Sequence, residues 1–159
     1  MMRAKVAARS IRGPFLILTP VCVFLGVSTV MANKADISLL LLLLALSGAL
    51  LAHISVNTIN EYLDFKSGLD MLTVKTPFSG GSGALPQHPE MADTVLKIGA
   101  TSLAVTLLIG SYFIWIHGAE IMPLGIAGLI LIVTYTGWIN KHPFLCLIAP
   151  GTGFGFLMV

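Results

Sequence analysis

Five stretches of this chain run too long without charge to belong to an ordinary water-soluble core. Residues 14–32, 121–139 and 143–159 contain no Asp, Glu, Lys or Arg. Residues 36–60 contain only Asp36 at their edge, with "LLLLLLALSGALLAH" at their centre, and residues 94–116 contain only Lys97. Each run is close to the ~20 apolar residues that carry a helix across a bilayer. Charged residues make up 10% of the chain, against about 25% in a typical soluble domain. Lipid supplies no partner for backbone amides, so spans of this kind close their hydrogen bonds internally as helices. The predicted fold class is therefore all-α: a polytopic transmembrane bundle of about five helices, forming one membrane domain over residues 1–159.

Several function classes fall away at once. A net charge of +2 with no basic patch interleaved with aromatics argues against a nucleic-acid partner. Cys22 and Cys146 both lie in apolar runs and read as small packing residues. The basic start followed by an apolar run resembles a secretory signal ending near Val30-Met31-Ala32, but the run exceeds the ~7–15 residues of a signal core and further spans follow. "GTGFGF" at 151–156 lacks the spacing and the preceding strand of a dinucleotide fingerprint. Its small residues suit close helix packing instead.

Orientation follows from Lys and Arg. With the N-terminus inside, Arg3, Lys5, Arg9, Arg12, Lys66, Lys75, Lys97 and Lys141 fall on the inner side and only Lys34 on the outer, so eight of the nine basic residues agree. The positive-inside rule then puts the N-terminus and the polar segment 61–93 in the cytoplasm of a bacterial or archaeal-type cell membrane. That segment holds five of the seven acids: Glu61, Asp64, Asp70, Glu90 and Asp93.

The lip of the second span reads "NTINEYLDFKSGLD", residues 57–70. If the helix continues, Asn57, Asn60, Glu61 and Asp64 stand at i, i+3, i+4 and i+7 and share a face. Gly68 is placed to end the helix, leaving Asp70 on a loop able to fold back. Like charges so close repel unless something positive lies between them. Mg2+ is the natural filler, because it takes hard oxygens and is often held by one or two carboxylates plus substrate phosphates. Glu61, Asp64 and Asp70 are thus the expected metal ligands, with Asn57 and Asn60 offering amide contacts to a substrate. The alternative is a solvated helix end. The loop "KTPFSGGSGALP", residues 75–86, follows. The backbone of Gly80, Gly81 and Ser82 can form an anion nest, and Lys75 adds charge for a diphosphate; the alternative is a plain glycine linker. His53, one turn from Asn57, reads first as a buried imidazole hydrogen-bonded to a neighbouring helix.

The pattern N-x-x-N-E-x-x-D-x-x-x-G-x-D followed by "GGSG" and "LP" resembles the UbiA superfamily of intramembrane prenyltransferases, most closely the branch acting on 1,4-dihydroxy-2-naphthoate in menaquinone synthesis. "YTGWINKHPFLCLIAPG", residues 135–151, is similar to that family's segment around its fourth and fifth helices. Glu61 stands where the family usually has Asp. The resemblance implies a nine-helix fold, Mg2+ as cofactor, and transfer of a prenyl group from a prenyl diphosphate to an aromatic acceptor, the tail resting in membrane lipid. It also implies catalytic roles for Asp64 and Asp70. It covers about half of the family's length, and the family's second aspartate-rich motif has no counterpart after Asp93, where Glu120 is the single acid. The chain is therefore expected to match the N-terminal half of such an enzyme and to be inactive without the C-terminal half. A non-catalytic membrane scaffold or transporter-like subunit is the rival reading; an ion path would want acids at mid-membrane depth, and the spans hold none.

Overall fold

The computed structural model describes residues 2–72, 81–139 and 142–159. Lys75 and Gly80 of the expected site lie outside the described residues. Among those described, regular structure is helical throughout. Helix α1 covers Met2–Ile11. A 3-10 turn, Gly13–Ile17, leads into α2, Leu18–Ala32. Helix α3 runs Leu39–Lys66, and a single turn, α4, covers Leu69–Leu72. Beyond the glycine loop come the short α5, Ala84–Gln87, and a 3-10 turn, Pro89–Met91. Helix α6 is Ala92–His117, α7 is Met122–Gly137, and α8 is Pro143–Thr152, widening into a π-type turn over Gly153–Leu157.

Among the described residues, three segments are long and apolar enough to cross a membrane: Gly13–Ala32, Leu39–Lys66 and Pro89–His117. The expected fourth and fifth spans are apolar helices of shorter length, Ala119–Tyr135 and Pro143–Leu157. The molecule is an all-α membrane helix bundle.

Local chemistry sets the boundaries. The Ser38 hydroxyl caps α3 by accepting from the Leu41 amide at 3.5 Å. Gly68, at φ +78°, takes the left-handed turn just past Lys66 and Ser67, a conformation that suits a residue without a Cβ. Asp70 is not on an open loop as expected: it sits on α4 and is buried, because the turn after Gly68 immediately re-enters helix.

The most extensive packing joins α3 to α6. Its closest approach is at Gly99, where an added Cβ would lie 2.7 Å from Thr58 Oγ1 and 2.8 Å from Ile59 Cγ1. Close backbone approach at small residues is how helices associate where lipid removes the hydrophobic drive. Near Gly153 the wide turn comes against α7, with a virtual Cβ 3.0 Å from Leu131 Cδ2; Gly151 and Gly155 face open space, so one of the three glycines of "GTGFGF" serves the packing expected of it. Between α2 and α3, Thr19 Oγ1 and His53 Nδ1 share a hydrogen bond of 2.8 Å, and Phe154 sets its ring edge-on to the imidazole at 4.8 Å. Cys22 is buried and Cys146 half-buried, both as free thiols.

The conventional hydrophobic core lies at one end of the bundle. Val6 of α1, Ala84 and Leu85 of α5, and Met91, Ala92 and Val95 at the start of α6 are buried together, with Tyr62 and Phe65 of α3 packed against them. This is where chain leaves lipid and water returns as the competing solvent, so burial of apolar surface again drives association.

Candidate functional site

The acidic stripe at the end of α3 is helical as expected, and its four polar residues divide into two pairs. Asn57 and Glu61, one turn apart, face the N-terminal segment. Asn57 Nδ2 donates to the Ile11 carbonyl at 2.9 Å, and the Glu61 carboxylate lies 3.5 Å from Arg12 Nη2. Asn60 and Asp64 form the other pair, with Asn60 Nδ2 donating to Asp64 Oδ2 at 2.7 Å. That bond holds the side chain of Asp64, which is half-buried, against its own helix.

Glu61 is fully buried. Its Oε2 accepts from the Ser82 amide at 3.0 Å, and its Oε1 accepts a short hydrogen bond from the Ser82 hydroxyl. Ser82 Oγ in turn accepts from the Ala84 amide at 3.0 Å, starting α5. The Ser82 carbonyl accepts from Arg9 Nη2 at 2.9 Å, while Arg9 Nη1 donates to Gln87 Oε1 at 2.8 Å. The loop is thus clamped from two sides, by α3 through Glu61 and by α1 through Arg9.

Gly81 and Gly83 both adopt left-handed backbone, φ +68° and +66°. At Gly81 this is coupled to close approach: an added Cβ would stand 2.5 Å from Asp70 Oδ1 and 3.0 Å from Oδ2. The loop therefore lays bare backbone against the Asp70 carboxylate on one side and hands Ser82 to Glu61 on the other. Among the described residues no group of three His, Cys, Asp or Glu side chains lies close enough together to hold a metal ion.

Of the expected site residues, Asn57, Asn60, Glu61, Asp64, Asp70, Gly81 and Ser82 all gather at this end of the bundle. Asn57, Glu61 and Ser82 spend polar atoms on holding the fold. Sequence reasoning missed Arg9, Arg12 and Gln87. Arg12 has left-handed backbone, φ 56° and ψ 52°, uncommon for a residue with a Cβ and associated with functional positions. Its Nε is buried with no hydrogen-bond partner. Arg12 had a legible signal: it directly precedes the first span, at the same membrane end as residues 57–70.

The UbiA prenyltransferase family model matches residues 19–159. The chain is similar to the 1,4-dihydroxy-2-naphthoate octaprenyltransferase of Bacillus subtilis (strain 168), with 33% identity over 101 residues, which is 64% of this chain. The match spans 31% of that relative's length. No solved structure gives a significant match. With the family model reaching from the first span to the end of the chain and taking in the whole acidic stripe and glycine loop, this protein belongs to the UbiA prenyltransferase family.

Proposed function

We propose that the polar end of this bundle binds the diphosphate of a prenyl diphosphate, and that the chain serves in transfer of the prenyl group to an aromatic acceptor in quinone biosynthesis, with 1,4-dihydroxy-2-naphthoate as the acceptor to test first. The observation that carries the reading is the Gly81 backbone packed against the Asp70 carboxylate, at the same end of the bundle as Asp64, inside a match to a prenyltransferase family.

The residues suit Mg2+. Asp64 and Asp70 offer hard carboxylate oxygens, and one or two carboxylates suffice when substrate phosphates and water complete the shell. When bound there, Mg2+ would neutralise the diphosphate and stabilise it as a leaving group. The chain's own groups do the rest. Asn60 holds Asp64 in one rotamer through its 2.7 Å bond. Gly81, lacking a Cβ, lets the loop backbone pack against the Asp70 carboxylate where any other residue would displace it. Arg12 supplies a fixed positive charge at the anion's end of the site. The apolar helices give the prenyl tail a path through lipid. The segment is proposed to face the cytoplasm, on the distribution of Lys and Arg.

The test is binding of radiolabelled prenyl diphosphate to the chain in nanodiscs, with and without EDTA. Binding should be Mg2+-dependent, and Asp64→Ala should weaken it by about tenfold or more, equivalent to about 1.4 kcal/mol. Residues 94–159 contain a single acid, Glu120, so binding without turnover is expected from this chain alone, with turnover appearing when a segment bearing a second aspartate-rich motif is supplied. Binding indifferent to both EDTA and Asp64→Ala would return the site to a solvated helix end on a scaffold.

A further inference from the structure

Glu61 stands out among the acids of the site. A fully buried carboxylate is costly unless it is neutralised and its lone pairs are met by donors. Here both conditions are fulfilled from within the chain: Arg12 supplies the charge, and the Ser82 amide and hydroxyl supply the hydrogen bonds. An ionised carboxylate has about four lone-pair sites, and three donors already converge on this one.

Its neighbours tell the same story. Asn57, one turn earlier on the same stripe, reaches the Ile11 carbonyl, and Glu61 reaches the next residue, Arg12. This pair of α3 residues receives the end of α1. Asn60 and Asp64 form a pair of their own. Ser82 then links the two structural strands of the clamp, since its carbonyl is held by Arg9 of α1 and its hydroxyl starts α5. Side-chain length matters too. Glu carries one methylene more than Asp, which gives it the reach to cross from the helix to the loop.

We propose that Glu61 is a positioning residue: the buried post to which the glycine loop and the N-terminal helix are tied, while Asp64 and Asp70 are the carboxylates that face the metal. The division of roles among the three acids rests on the function proposed above; the tie between Glu61, Ser82 and Arg12 does not. By holding Ser82, Glu61 sets where the adjacent Gly81 lies against Asp70.

The two roles predict opposite orders for conservative variants. A metal ligand tolerates Glu61→Asp, which keeps the charge, and suffers from Glu61→Gln. A post of fixed length suffers from Glu61→Asp, which pulls the carboxylate back from Ser82, while Glu61→Gln keeps an acceptor for the amide. The experiment uses the full chain in nanodiscs with two readouts. Mn2+ binding is followed by electron paramagnetic resonance, since carboxylate sites that suit Mg2+ also suit Mn2+. Hydrogen exchange is followed by mass spectrometry over residues 81–87. We expect Glu61→Gln to change the Mn2+ dissociation constant by less than about threefold, and Asp64→Asn and Asp70→Asn to raise it about tenfold or more. Exchange over 81–87 should rise several-fold in Glu61→Asp and in Ser82→Ala, and less in Glu61→Gln. A loss of Mn2+ affinity in Glu61→Gln comparable to that in Asp64→Asn overturns the assignment, whatever the loop does. Unchanged exchange in both Glu61→Asp and Ser82→Ala overturns it as well. If Asp64→Asn and Asp70→Asn leave Mn2+ binding intact while the loop responses appear, the proposed metal site fails and the post stands.

Discussion

Gly81 and Gly68 are both left-handed, yet they answer to different constraints. At Gly68 an added Cβ meets nothing within 4 Å, so Gly68→Ala should cost only the crowding of the left-handed backbone, about 1–2 kcal/mol. At Gly81 the same change adds a methyl group 2.5 Å from Asp70 Oδ1. Something must shift there, and the carboxylate is the group in the way. Gly81→Ala should therefore lose metal-dependent ligand binding as well as stability, while Gly68→Ala should lose stability alone. Thermal unfolding of the two variants in nanodiscs, paired with a Mn2+ titration, separates the cases; equal Mn2+ affinity in both would show that Asp70 does not need the space above it. Arg12 makes the complementary point with a side chain in place of none. Its left-handed backbone bends the chain between α1 and the first span, so that the guanidinium comes back onto Glu61.

Helix pairs show where the bundle tolerates change. The α3–α6 seam closes on Gly99, whose virtual Cβ is already within 2.8 Å of Thr58 and Ile59. Gly99→Ala should overpack it and cost about 1–3 kcal/mol. Gly110, farther along the same helix, has nothing within 4 Å, and Gly110→Ala should stay within about 0.5 kcal/mol of the parent. Reversible unfolding in mixed micelles measures both, and similar losses would show that Gly99 reports helix propensity and not packing. The α2–α3 contact is polar. Removing the hydroxyl partner of His53 with Thr19→Val should weaken it by about 0.6–1.7 kcal/mol, the range of interhelical hydrogen bonds in membranes. A double-mutant cycle with His53→Ala checks the assignment, since an additive result means that the 2.8 Å bond contributes nothing of its own.

At the scale of the molecule, the clamp described above closes one end of a bundle whose remaining surface is apolar and exposed. Trp115, Leu108 and Phe156 are 80%, 69% and 79% exposed, as side chains facing lipid would be. The orientation of that bundle is open to direct measurement. Glu90 is exposed beside the clamp, and Glu90→Cys in a background with Cys22 and Cys146 changed to Ala should label only from the cytoplasmic side if the positive-inside rule sets the orientation, since it groups eight of the nine basic residues on the side of this clamp. Labelling from the outside would invert the orientation expected here and with it the compartment from which substrate approaches.

The amino-acid sequence by itself determined the class of fold and the place of the site. Long charge-free runs have one stable form in lipid, and the helical spacing of Asn57, Asn60, Glu61 and Asp64 needs only local geometry to bring them to one end. Gly68 ended α3 for the same local reason, because only its own backbone was in question. What the tertiary structure alone decided is what packs onto Glu61. Glu61 and Asp64 look equivalent in a one-dimensional pattern, three residues apart with one negative charge each. What sets Glu61 apart is that α1 and Ser82 of the glycine loop, distant in sequence, come to rest on it, while Asp64 accepts from Asn60 within its own helix. Hydrogen bonds between residues 21 positions apart, and a buried ion pair across 49 (61 − 12), leave no periodic trace in a sequence. They exist only once helices have packed, so it was the fold that made Glu61 the buried post on which α1 and the glycine loop meet.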